Sequence, residues 1–180
     1  MRAIFATAIF GLVVAAGSAA ADTNPYQGMT HRAIKALSDQ EMSDLAAGKG
    51  MSLALAAELN GYPGPRHVLD LAEPLGLSPD QTTAIQSMFD AMKADASALG
   101  AAIIASEADL ELGFRTASLD ADRLNEKVMA IAVLRGQLRA THLRFHLSTR
   151  DRLDRQQLAR YDQLRGYGTG QQHHGHHQSK

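Results

Sequence analysis

No cysteine occurs anywhere in the chain. That absence rules out a disulfide and a thiolate site, even in a compartment that would permit disulfides. Tryptophan is missing too. β-Branched runs are few, Val133 falls inside a helical period, and Ala101 to Ala105 has no period-two alternation, so no strand is expected. Neither sign of charge dominates, the formal net charge being −1, and nucleic acid is not suggested as a partner. No glycine-rich loop follows a strand, which leaves no phosphate cradle. His67 and Asp70 have histidine–carboxylate spacing, but no serine or cysteine nucleophile is tied to them. The expectation is a protein that is not an enzyme. Alanine, leucine, glutamine and arginine are prominent instead, a composition that favours an all-α fold.

Residues 1–21 read as a signal peptide. Arg2 supplies a minimal basic start, Ala3 to Gly17 is apolar, and Ala19-Ala20-Ala21 offers small residues for cleavage ahead of Asp22. The apolar run is short of the roughly 20 residues a membrane span needs, and no basic stop follows it. Export to a periplasm is the implied localisation. Removing Arg2 leaves acidic side chains two ahead of basic ones.

The organising stretch runs from Leu77 to Phe145. Ser78 fits a helix N-cap, Pro79 fits the first helical position, and Gln81 stands where it can complete a capping box. Ile85, Phe89, Met92, Ala96, Leu99, Ile103, Leu110 and Phe114 then recur at steps of three and four, with a missed slot near Ser106. Gly113 is the expected end of this pattern and Arg115 to Ser118 the connection. A second stripe follows at Leu124, Val128, Ile131, Leu134 or Arg135, Leu138, His142 and Phe145. Two long amphipathic helices with a short link predict an antiparallel hairpin over 77–166.

Residues 22–76 read as an arm with short helices. Asp22 to Thr30 is loose, His31 to Leu37 is a short helical turn, and Ser38 with Glu41 heads a helix to about Ala47. Met51 to Asn60 is expected to be helical, Tyr62-Pro63-Gly64-Pro65 to be a firm turn, and Pro65 to open another short helix. A break or kink is expected around Ser148-Thr149, before Asp154 and Gln157 cap a last helix. Residues 167–180 form a histidine-rich tail, expected to be disordered without a ligand. The hairpin alone is thin, so a homodimer is expected.

Acidic residues concentrate from Asp80 to Glu111, arginines from Arg135 to Arg165. The plain reading is attraction between packed helices. The sharper one is a surface that holds an exposed client chain, with Met88, Met92, Arg135, Arg139 and Arg144 as client-binding candidates.

Leu77-Ser78-Pro79-Asp80-Gln81 and Leu153-Asp154-Arg155-Gln156-Gln157-Leu158 carry a resemblance to the Spy/CpxP family of periplasmic helical proteins, over Gly76 to Gly166. The second copy lacks the proline. The resemblance implies a helical hairpin that pairs into a curved, cradle-like dimer. It also implies one of two functions. Some members bind unfolded proteins without ATP. Others, the zinc-resistance-associated and cobalt–nickel-sensing relatives, bind metal.

His142 and His146 stand one helical turn apart, which puts both imidazoles on one face, as two metal ligands on a helix require. Imidazole suits zinc, nickel, cobalt and copper. A third ligand is open among His31, His67, Glu107, Glu111, Met129 and a second subunit. The family's sensors carry such spacing on or before the first long helix, whereas here it lies on the second. His142 also falls on the apolar stripe, where a hydrogen-bonded packing role is the plain alternative. His173, His174, His176 and His177 in the tail form a second candidate metal binder. The leading expectation is an ATP-independent periplasmic chaperone or stress-response binding protein, acting on partly folded envelope proteins or a membrane sensor. The alternative is a heavy-metal-binding sensor or resistance protein.

Overall fold

The computed structural model describes residues 24–167. The leader read over 1–21 and the tail histidines His173, His174, His176 and His177 lie outside the described residues. The chain divides into two units, Met1–His31 and Arg32–Lys180. In the first, the described residues contain a 3₁₀ turn, Gln27–Met29, within the stretch expected to be loose.

The second unit is all-α among its described residues. Its helices are α1 (Asp39–Ala46), α2 (Leu55–Glu58), α3 (Pro65–Asp70), α4 (Pro79–Arg115), α5 (Ala121–Arg150) and α6 (Arg155–Arg165). No helix among the described residues is long and apolar enough to cross a membrane. Three capping boxes start α1, α4 and α6 at Ser38, Ser78 and Asp154, as their spacing predicts. The last two boxes also meet. Gln81 Nε2 donates to Gln157 Oε1 at 2.9 Å and Gln157 Nε2 returns a bond to Gln81 Oε1 at 3.1 Å. Gln81 further donates to the Arg152 carbonyl at 2.7 Å.

α4 packs along α5, and α1 and α3 pack on α4. Ion pairs join the two long helices in reverse order: Asp109 with Lys127, Glu107 with Arg135, Asp95 with Arg144. This is the plain reading of the charge pattern. Ile85, Met92, Ala96 and Ile103 are buried, as the stripe on α4 predicts. Burying each large aliphatic among them stabilises by about 1.5–3 kcal/mol. The missed slot at Ser106 is filled one residue later by Glu107, buried and bonded to Arg135 at 2.8 Å. Two apolar clusters result. One gathers Ile34, Leu37, Leu45, Ala96, Ile103 and Leu138; the other gathers Val68, Leu75, Ile85, Leu153 and Tyr161. At Gly100 the α1 backbone comes so close that an added Cβ would meet the Leu45 carbonyl oxygen at 2.0 Å.

Several expected boundaries are corrected. α4 runs past Gly113 to Arg115, and the link spans Thr116 to Asp120. Asp120 caps α5 by accepting the Arg123 N–H at 2.9 Å. Phe114 and Val128, placed on the stripes, are exposed because both lie near this link, beyond the clusters. The break expected around Ser148-Thr149 comes one residue later: α5 ends at Arg150, with the buried Thr149 hydroxyl bonded back to the Phe145 carbonyl. His31 to Leu37 contains turns and bends rather than helix. Only Leu55–Glu58 of the Met51 to Asn60 segment is helical, because Met51 and Ser52 have φ of 44° and 62°. Left-handed residues without glycine interrupt a helix and carry strain.

Candidate functional site

His142 and His146 are both buried, at 2% and 8% exposure, and both line one cavity of about 560 Å³. α5 supplies this wall because their spacing of one turn keeps both rings on the face turned inward. α4 adds Phe89, Met92 and Lys93, which fall between Ile85 of one apolar cluster and Ala96 of the other. The strained residues Met51 and Ser52, with Glu58, Gly64 and His67, close the rest.

Glu58 ends α2 and is only 5% exposed. Its Oε2 accepts the Gly64 N–H at 3.1 Å. Its Oε1 accepts from the Tyr161 hydroxyl, lies 3.1 Å from His67 Nδ1 and accepts from the Tyr167 hydroxyl at 3.4 Å. Arg165 Nε is 3.7 Å away. Burial pushes the Glu58 carboxyl up, but the bonds from His67 and Tyr161, the His67 charge and the Gly64 amide outweigh it and bring it to about 2. Burial, then the bond to Glu58 and its charge, push the Tyr161 hydroxyl the other way. The carboxylate is thus saturated by donors and makes a poor general base.

His146 Nδ1 donates to the Tyr62 carbonyl at 2.7 Å. In the neutral ring this fixes the tautomer and leaves the lone pair on Nε2. Nε2 lies beside Gly64, where a Cβ would stand only 2.8 Å from it, so glycine is what lets the turn pass the ring. His142 Nε2 is buried with no hydrogen-bond partner among the described residues. Burial lowers the His142 pKa, the neighbouring His146 lowers it further, and a bond with the Lys49 backbone opposes both. The packing reading of a satisfied histidine thus fits one side of the His142 ring and leaves Nε2 unaccounted for. An imidazole nitrogen left without a partner beside a cavity is a ligand-type group.

The other expected site residues separate. Among the described residues, no three of the histidine, aspartate and glutamate side chains are arranged to hold a metal ion. Glu107 is bonded to Arg135, Glu111 to Lys35, and Met129 is exposed. His67 lies on the cavity but faces Glu58, while Asp70 pairs with Arg66. Of the client-binding candidates, Met92 is buried in the cavity wall, because the α4 stripe turns it inward. Met88 is half-buried, Arg135 and Arg144 are in ion pairs with α4, and Arg139 is exposed.

Sequence reasoning missed Glu58, Tyr161 and Met51 as partners in this region. A lone carboxylate in the apolar run from Leu53 to Leu59 was the available signal for Glu58. No family model matches the chain, and no curated protein or solved structure matches it either.

Proposed function

We propose that this is a non-enzymatic, periplasmic metal-binding protein of the heavy-metal sensor or resistance type, holding a transition-metal ion through His142 and His146. The observation that carries this reading is that the two imidazoles share one cavity and that the buried His142 Nε2 has no partner. A bound ion supplies that partner. The His146 Nδ1–H on the Tyr62 carbonyl is the support that metal-ligating histidines ordinarily carry. In this reading α4 and α5 are an antiparallel hairpin, and two copies form the dimer that the Spy/CpxP resemblance implies.

The test is calorimetry with zinc, nickel, cobalt and copper on the full chain, with His173, His174, His176 and His177 replaced by asparagine to silence the tail. Binding of one ion tighter than about 10⁻⁵ M (about 7 kcal/mol), abolished in the His142→Ala/His146→Ala variant, is the expected result. If that affinity is absent, or survives the double substitution, the reading fails.

The chaperone reading stands second. It is favoured by exposed apolar side chains near the link between α4 and α5: Leu112, Phe114, Val128, Met129 and Val133. Met92 does not contribute to such a surface, and Arg135 and Arg144 already serve the α4–α5 contact. It predicts that the protein at stoichiometric amounts suppresses aggregation of a reduced client at low or moderate salt. Absence of suppression rules it out.

A further inference from the structure

The histidine pair supplies two donors to the cavity, and a specific site needs more. The residues that share the wall narrow the choice. Glu58 is the carboxylate on the cavity, and both its oxygens already accept bonds, from Gly64 on one side and from Tyr161 and His67 on the other. Recruiting it to a metal would dismantle that network. Met92 and Met51 are different. Both line the cavity, Met92 at 7% exposure and Met51 at 37%, and a thioether gives up no strong hydrogen bond when it ligates. The cavity-lining residues that can donate without breaking such a network are therefore His142, His146, Met92 and Met51.

That set is neutral. An imidazole ligates in its neutral form, and methionine never carries charge. Lys93 and Arg66 also belong to the cavity wall, and their positive charge weighs more heavily against a divalent cation than against a monovalent one. Soft sulfur and imidazole donors favour copper(I), whereas zinc, nickel and cobalt ordinarily take a carboxylate, a thiolate or more nitrogen. The chain offers no thiolate.

We propose that the cavity selects a soft monovalent ion, copper(I), bound by His142, His146, Met92 and Met51. This rests on the reading that the histidine pair binds metal, and adds which metal and why. Met92 comes from α4, the two histidines from α5 and Met51 from the strained segment before α2. An ion held by all four ties these three parts of the second unit together.

The experiment uses the full chain in the background with asparagine at the four tail histidines. Copper(I) is supplied anaerobically from a chelator of known affinity, and zinc is titrated separately. The expected result is one copper(I) per chain, with sulfur as well as nitrogen scatterers at the copper absorption edge. Affinity for copper(I) should exceed that for zinc by at least about 100-fold. Met92→Leu keeps volume and apolarity, so the fold is retained. It should weaken copper(I) at least about tenfold and leave zinc unchanged, with Met51→Leu acting in the same direction. Equal copper(I) affinity in both leucine variants, or tighter zinc than copper(I), overturns the selectivity while a His142/His146-dependent zinc site would keep the metal reading. No binding of any ion overturns both. Circular dichroism of each variant separates lost binding from lost fold.

Discussion

The Tyr161 hydroxyl donates to the Glu58 carboxylate across 103 positions of sequence, and both residues are buried. This contact ties α6 to α2 beside the cavity. Tyr161→Phe removes a donor from a buried charge and is expected to destabilise the fold by about 1–3 kcal/mol. Glu58→Ala removes the common acceptor of Gly64, Tyr161 and His67 and is expected to cost more, about 3–5 kcal/mol. Urea unfolding followed by circular dichroism measures both. A Glu58→Ala variant as stable as the parent would contradict the role given to this carboxylate.

Acid should weaken the fold in two stages. The His142 pKa is lowered from its ordinary 6.5, so below that pH the unfolded chain takes up the proton first and stability begins to fall. Glu58 goes from an ordinary 4.5 to about 2 in the folded chain. Its contribution is complete above pH 4.5 and is lost as pH falls from 4.5 toward 2, a change of about 3 kcal/mol. Glu41, Asp44 and Glu111 move in the same direction, so the informative quantity is the difference between variants. Glu58→Gln should flatten the lower stage and His142→Asn the upper one. Identical pH profiles for parent and variant refute the assignment of that stage.

Gln81 and Gln157 each close their own capping box and each bond the other. Their substitutions should therefore not add. Gln81→Ala and Gln157→Ala are each expected to cost about 1 kcal/mol or more, and the double variant less than their sum by about 0.5–1 kcal/mol. Strict additivity in a double-mutant cycle would mean that the contact contributes no coupling.

Two glycines inside long helices should respond with opposite sign. Around Gly136 on α5 nothing lies within 4 Å of an added Cβ, so Gly136→Ala should stabilise by about 0.5–1 kcal/mol. At Gly100 on α4 the same methyl meets the Leu45 backbone, and Gly100→Ala should destabilise by at least about 1–3 kcal/mol. Thermal melts decide this, and a stabilised Gly100→Ala variant would refute the close approach of α1.

Local signals carried much of this architecture. Ser38, Ser78 and Asp154 revealed where α1, α4 and α6 begin because a cap and its N3 partner are neighbours in sequence. The spacing of His142 and His146 was legible for the same reason. What was not legible depends on distant chain. Glu58 looks like an ordinary helix residue until Tyr161 and His67 arrive beside it. Met92 reads equally well as core or surface, since periodicity gives a face but not what covers it. The left-handed Met51 and Ser52, both on the cavity wall, break a helix that propensity alone would continue.

The paired amides of Gln81 and Gln157 bridge 76 positions in a chain that has no thiols. A disulfide across such a loop would stabilise by about 4–5 kcal/mol and would open or close with the surrounding redox potential. The amide clasp has no electrons to exchange. The start of α4 stays fastened to the start of α6 equally well in reducing and oxidising surroundings, and this closure is blind to the redox state of whatever compartment holds the protein.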